Sequence, residues 1–166
     1  MNLQFYLEKL HSSEEFRKFK KENPKAFFCS GFFILDREKN ANEVHLDFFT
    51  QEKNELAVFK IDGKITRMPA QSLSKKMPGE ISEEMNFDFN EIENLILEKM
   101  QKENLKDKVQ KIILSLQNSN RKTFLLGTVF VSMLGMIKVK IKLPENKITE
   151  FEKKSILDMM NVFRKK

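Results

Sequence analysis

The chain has 166 residues, of which 40% are hydrophobic and 33% charged, a composition typical of a soluble globular protein with one domain or two small units that share a core. Its single cysteine, Cys29, excludes an internal disulfide and a zinc site made of cysteines alone. No secretory signal is visible at the start, and the longest uncharged run, 123–137, is shorter than the roughly 20 residues that span a bilayer. We therefore expect a cytoplasmic protein without a membrane partner.

The residues before Pro24 predict two helices. The first has apolar residues at helical spacing, which give it one stripe to bury: Leu3, Tyr6, Leu7 and Leu10. The second begins at the segment 12–15, Ser-Ser-Glu-Glu, which is typical of a capping box, where a serine hydroxyl accepts from a free backbone N–H and a glutamate reaches back. Because proline disrupts a helix interior, this second helix should end before Pro24.

Three strand-like runs follow, separated by polar turns: 26–36, 43–50 and 55–62. In the second run apolar and polar residues alternate, which predicts a strand with one dry and one wet face. The first run is apolar on both faces, so it predicts a central strand.

The second half of the chain begins after a polar segment, 70–87, that contains Pro78 and Gly79 and predicts a linker. A helix should start at Asp88, which offers a cap, because apolar residues then recur at helical spacing: Phe89, Ile92, Ile96 and Met100. Three further strand-like runs follow at 109–117, 123–132 and 136–143. A last apolar stripe predicts a C-terminal helix: Ile156, Met159, Met160 and Phe163.

Two short motifs occur twice in the same order. The tripeptide KEN stands at 21–23 and 102–104, and KIT stands at 64–66 and 147–149, offsets of 81 and 83 residues. Such spacing favours an internal duplication. The predicted fold class is α+β, with duplicated helix plus three-stranded antiparallel sheet units, helices on one face and extra N- and C-terminal helices.

These elements predict the domain organisation. The first repeat with its N-terminal helix occupies 1–69, the linker 70–87, and the second repeat with its C-terminal helix 88–166. We expect the two repeats to form one compact domain.

The stretch 59–65, FKIDGKI, resembles the PepSY-like and cystatin-like modules, in which a third strand closes on aspartate, a glycine turn and a short hydrophobic strand. The corresponding stretch 141–148, IKLPENKI, lacks the Asp-Gly turn. The order of elements is also similar to the secretion-chaperone-like fold. The first resemblance implies restraint of peptidases or sensing, and the second implies binding of extended protein segments. Both imply binding rather than catalysis.

Few residues offer catalytic chemistry. Glu43, His45 and Asp47 alternate along one strand, so their side chains share a face and could bind a metal ion or move a proton. The alternative is that they form the solvent side of that strand. Cys29 has no nearby base or helix start to lower its pKa, so we expect it to be a small buried side chain. The sequence has no glycine-rich phosphate loop and no nucleophile elbow, and we assign no catalytic residue, no metal and no cofactor.

The net charge of +6 is concentrated towards the C-terminus, since 121–166 carries eleven Lys or Arg against four acids and 1–120 carries nineteen against twenty. Lys138, Lys140 and Lys142 alternate along one predicted strand and should share a face, where they could contact phosphates. Such a row also fits a solvated face or a protected sheet edge. The chain has 25 lysines and only 5 arginines, which favours AT-rich codon use as the cause of its positive net charge, because phosphate and base recognition favours arginine.

Acidic residues cluster at the linker and the following helix start: Glu83, Glu84, Asp88, Glu91, Glu93 and Glu98. Part of this cluster is explained by the preference of carboxylates for a helix N-terminus. Charge alone suggests a homodimer in which the acidic patch of one molecule meets the lysine row of another.

The sequence thus favours a non-enzymatic, cytoplasmic interaction module that binds a protein or peptide segment through a sheet face or edge. The predicted binding residues are Lys138, Lys140 and Lys142, with His45 and Phe49 as a second exposed set. The alternative is an RNA- or ribosome-associated protein that uses the basic C-terminal third, in which case binding would weaken steeply with salt.

Overall fold

A computed structural model describes residues 1–39, 41–73 and 77–155. The described elements, in chain order, are α1 (Leu3–His11), α2 (Glu14–Glu22), β1 (Phe27–Asp36), β2 (Ala41–Thr50), β3 (Glu55–Asp62), β4 (Lys64–Arg67), β5 (Gln71–Ser72), α3 (Phe89–Lys102), β6 (Val109–Ser119), β7 (Lys122–Val131), β8 (Gly135–Leu143) and β9 (Lys147–Ser155). None of the described helices is long and apolar enough to cross a bilayer. The predicted C-terminal helix lies outside the described residues.

All nine described strands belong to one antiparallel sheet in the order β4-β3-β2-β1-β6-β7-β8-β9, and the short β5 pairs with β3. Each half of the chain contributes a meander, and the two meanders meet where β1 pairs with β6. The prediction that 26–36 forms a central strand is confirmed, because β1 has a hydrogen-bonded neighbour on both sides.

The predicted architecture of duplicated helix plus three-stranded units is wrong. The structure is dominated by one continuous sheet, and each meander has a fourth, outer strand on its path, β4 or β9. Both KIT tripeptides stand at the start of these outer strands. Apolar alternation predicted neither outer strand, and only the resemblance of 59–65 implied a short strand at the position of β4. One partner strand and exposed charged residues leave the outer strands with little apolar alternation.

The helices begin where the sequence predicts caps. The hydroxyl of Ser13 accepts from the backbone N–H of Phe16 at 3.2 Å, which starts α2. The carboxylate of Asp88 accepts from the N–H groups of Asn90 at 2.8 Å and Glu91 at 3.2 Å, which starts α3. These bonds satisfy N–H groups that have no partner within the helix.

All three helices contribute side chains to a single core on one face of the sheet. Phe16 of α2 lies 4.8 Å from Phe48 and 5.2 Å from Phe59, measured between ring centres, and Phe89 of α3 lies 5.0 Å from Phe33. Because side chains alternate along a strand, the residues between these core positions point to the opposite face. We call that opposite face, on which none of the three described helices packs, the open face.

Candidate functional site

The strand register aligns side chains in straight rows across the open face. In one row Phe32 of β1 lies opposite Ser115 of β6, Ser115 opposite Leu126 of β7, Leu126 opposite Lys140 of β8, and Lys140 opposite Glu150 of β9. The same row continues on the other side of Phe32 to His45. It therefore joins an apolar centre to a charged border.

A groove with a volume of about 440 Å³ lies over this row. We call it the open-face groove, and its principal lining side chains are Phe32, Ile113, Leu126, Lys138, Lys140 and Glu150. Leu126 is 39% exposed, and Phe32 and Ile113 are partly exposed. Apolar side chains that remain accessible in a concave surface favour contact with another molecule.

The three predicted lysines lie on one face of β8, as their spacing requires, but their electrostatic environments differ. Lys138 is exposed, and no ion pair to it exists within the described residues. Lys140 Nζ lies 3.3 Å from an oxygen of Glu150 and 4.5 Å from the ring centre of Phe124. Lys142 Nζ lies 2.5 Å from an oxygen of Glu145. Edge protection does not explain the row, because β9 pairs with β8 along its length.

His45 and Phe49 lie on the other half of the sheet. The Nε2 atom of His45 is 2.8 Å from Oε1 of Glu43, and its ring centre is 5.9 Å from that of Phe32. Four strand spacings, about 19 Å in all, separate His45 from Lys140. The prediction that Phe49 is exposed is wrong: its exposed fraction is 2%, and the ring of Phe27 lies beside it at 5.6 Å between ring centres.

Glu43, His45 and Asp47 share one face, but only Glu43 and His45 are in contact, since the Asp47 carboxylate is bound to Ser30 instead. The Oδ2 atom of Asp47 accepts a hydrogen bond from the Ser30 hydroxyl, and burial raises the pKa of the Asp47 carboxyl. No group of three His, Cys, Asp or Glu side chains that could hold a metal ion occurs within residues 1–39, 41–73 and 77–155. Within the described residues, the arrangement supplies hydrogen bonds and an ion-pair contact.

Cys29 is buried, and burial raises the pKa of its thiol to about 12. Its Sγ atom lies 3.4 Å from the backbone carbonyl oxygen of Asp47, to which it donates. A thiol with so high a pKa stays protonated near neutral pH and is a poor nucleophile.

Part of the acidic patch is already in contact with basic groups of the same chain. Glu83 lies 2.6 Å from His11, Asp88 lies 3.3 Å from the N-terminal ammonium group, and Glu93 accepts a 2.8 Å hydrogen bond from Arg37. Half of the six acids thus already have a basic partner, which leaves fewer for a homodimer contact with the lysine row.

Sequence reasoning missed the apolar floor of the groove. Leu126 belongs to a run, 123–132, that is apolar at most positions, so the sequence gives no sign of which side chains face the helices. Phe32 lies in a similar run, 26–36. The sequence feature that indicated the open face was the row of lysines on β8. Because these lysines alternate with apolar residues, they show which side of β8 faces away from the core.

Comparison with known proteins gives one informative likeness. No protein-family model matches this chain, and no curated protein matches it. The chain is similar to the crystal structure of a "putative lipoprotein" from Clostridium difficile 630, with a TM-score of 0.58, 12% sequence identity, and coverage of 85% of this chain and 91% of that one. At this identity the likeness shows the fold alone. The resemblance to PepSY-like and cystatin-like modules stays a prediction.

Proposed function

We propose that this protein is a non-enzymatic interaction module that binds an extended segment of another protein in the open-face groove. The observation that carries the proposal is the row in which the exposed Leu126 lies between Phe32 on one side and Lys140 on the other, on the face where none of the described helices packs. The proposal does not depend on any cofactor or catalytic group.

The groove suits a segment that carries both apolar and acidic side chains. Burial of apolar area against Phe32, Ile113 and Leu126 would stabilise the complex by about 25 cal/mol for each Å² removed from water. The ammonium groups of Lys138 and Lys140 at the border would attract carboxylates. The groove therefore selects partners by composition as well as by shape.

Pairing at a sheet edge is less favourable than binding on the face. β9 presents charged side chains along its exposed edge, and β4 has only four residues. Charged and short edge strands oppose the addition of a further strand.

RNA is also a less favourable occupant of this groove. Glu150 and Glu152 line it together with the lysines, and Glu150 already pairs with Lys140. A single carboxylate of a peptide can pair with Lys138, which has no ion pair within the described residues, whereas successive phosphate groups of RNA would also meet these two carboxylates and be repelled.

A peptide-display experiment tests the proposal. Random 12-residue peptides are selected on the full-length protein, and the affinity of the enriched peptides is measured by fluorescence anisotropy for the wild type, Leu126→Gln and Leu97→Gln. Leu97 is a matched control, since it is 36% exposed and lies on α3, on the other side of the sheet. Leu126→Gln should weaken binding about tenfold, whereas Leu97→Gln should leave it unchanged.

Two results would contradict the proposal: selection that enriches no peptide, or equal affinity for the wild type and Leu126→Gln. A single-stranded RNA of random sequence is titrated in parallel at increasing salt. Tight RNA binding that falls steeply with salt and depends on Lys138 would replace the peptide proposal with the nucleic-acid alternative.

A further inference from the structure

The hairpin between β7 and β8 ends in two exposed apolar side chains. Met133 is 89% exposed and Leu134 is 57% exposed, and neither belongs to the open-face groove or to the core. The turn is closed by the Gly135 N–H, which donates to the Ser132 carbonyl oxygen at 3.4 Å. Two adjacent large apolar side chains at a protruding tip lose contact with water only when another body covers them.

The backbone of this turn is also unusual. Met133 has φ of +60° and Leu134 has φ of +55°, the left-handed conformation that both central residues of a type I′ turn require. The other described residues with positive φ are Gly63, Asn54, Asn104, Asn120, Asn146 and Arg121. Asn-Gly would be the favoured pair at such a turn, so Met133 and Leu134 adopt this conformation against their local preference. Strain of this kind is concentrated at functional sites.

Lysines lie at the base of the turn and in the segment that precedes β6. The segment before β6 is bound to the turn, because the Ser132 N–H donates to the Lys108 carbonyl oxygen at 2.9 Å and the Lys108 N–H donates to the Ser132 hydroxyl at 3.1 Å. Lys106 and Lys108 are exposed, and neither has an ion pair within the described residues. Lys153, which lies beside Gly135, pairs with Asp107 at 2.8 Å. The tip thus combines an apolar point with a cationic border.

We propose that this hairpin tip docks the protein on the surface of an anionic lipid bilayer. Met133 and Leu134 enter the boundary between headgroups and acyl chains, and the ammonium groups of Lys106 and Lys108 contact anionic headgroups. A bilayer is the partner that offers both chemistries together, an apolar interior directly beneath a negatively charged surface. RNA would meet the lysines but would leave the apolar tip in water. This surface is separate from the open-face groove, and the proposal differs from the expectation of no membrane partner.

Vesicle co-sedimentation with the full-length protein tests the proposal. Vesicles of phosphatidylcholine alone are compared with vesicles that contain phosphatidylcholine and phosphatidylglycerol. We expect binding to the anionic vesicles that weakens as salt is added, and little binding to the neutral ones. A wild-type chain that remains in the supernatant with anionic vesicles at low salt overturns the proposal.

The double variant Met133→Asn with Leu134→Gly isolates the tip, because it removes both apolar side chains and supplies the residues that the turn favours. Its melting temperature should be at least that of the wild type, while its affinity for anionic vesicles should fall about tenfold or more. Equal binding by this variant and the wild type overturns the proposal.

Two charge variants distinguish contact through the cationic border from attraction to the net charge of the protein. Lys106→Gln with Lys108→Gln should weaken binding and flatten its salt dependence. Lys53→Gln with Lys64→Gln removes the same charge from exposed positions in the other half of the sheet, and it should bind like the wild type. Equal losses in the two pairs would show attraction to net charge alone and would overturn the assignment of the tip.

A spectroscopic reporter tests insertion directly. The chain has no tryptophan, so Met133→Trp introduces a single indole at the tip. Its emission should shift to shorter wavelength when anionic vesicles are added, because the indole leaves water. Sedimentation of this variant without a shift would mean that the tip does not insert, and would overturn the proposal.

Discussion

The Ser30 hydroxyl donates a 2.5 Å hydrogen bond to Oδ2 of Asp47 across the β1–β2 pair. Burial raises the pKa of the Asp47 carboxyl above its ordinary value of 3.8, and the bond from Ser30 offsets part of this rise because it stabilises the carboxylate. The folded chain therefore binds this proton more tightly than the unfolded chain does. Above the raised pKa the charged carboxylate lowers the free energy of unfolding, and this penalty disappears as the pH falls towards 3.8.

Asp47→Asn should accordingly be more stable than the wild type at pH 7, and the difference should shrink as the pH is lowered. Urea unfolding at several pH values measures the free energy of unfolding for both proteins. Ser30→Ala is the complementary variant, since loss of the donor should destabilise the fold more at pH 7 than in acid. An Asp47→Asn protein that is less stable than the wild type at pH 7 would show that the carboxylate is held favourably.

The ion pair between Arg37 and Glu93 connects the end of β1 to α3. The Arg37 Nε atom donates to Oε1 of Glu93 at 2.8 Å, and the Glu93 side chain is only 14% exposed. Glu93→Gln should lower the free energy of unfolding by about 1 kcal/mol, because a partly buried charge loses its partner. The loss should be smaller in high salt, which screens the pair in the wild type.

Glu98→Gln is the matched control for this ion pair. Glu98 lies on the same helix and is exposed, with no ion pair inside the described residues. Its substitution should change the free energy of unfolding by less than about 0.5 kcal/mol. Equal effects of the two variants, measured by urea unfolding, would remove the ion pair as a cause of stability.

Local features of the fold could be predicted from the sequence, because their causes are local. Ser13 and Asp88 cap the helices at the positions where the sequence predicts caps. The alternation of Lys138, Lys140 and Lys142 with apolar residues identified one face of β8. Each of these signals depends on neighbours within a few residues.

Strand order and the composition of the groove had no such signal. Phe33 lies opposite Leu114 where the two meanders join, a contact between residues that are far apart in the sequence. The alternation of lysines with apolar residues along β8 identifies the face on which Lys140 lies. Nothing close to Lys140 in the sequence indicates that Glu150 and Phe124 are its neighbours. These partners come from separate strands, and only the register of the sheet brings them together.

Gly127 allows β7 to pack closely against its neighbours on the core face. It lies opposite Leu114 on one side and Val139 on the other, and a Cβ atom at this position would overlap the Val139 side chain. Gly127→Ala should therefore lower the free energy of unfolding by about 1–3 kcal/mol, as overpacking of a core does. Thr128→Ala, the next position and on the open face, is the control and should have a smaller effect.

The double variant Gly127→Ala with Val139→Ala tests the cause of this loss. Val139→Ala alone should destabilise the protein, because it removes buried methyl groups. If overlap with Val139 is the reason that alanine is unfavourable at 127, the double variant should lose less than the sum of the two single losses, since each change accommodates the other. Free energies of unfolding from urea titration give all four corners of the cycle. Strict additivity would show that overlap with the Val139 side chain is not the cause of the loss.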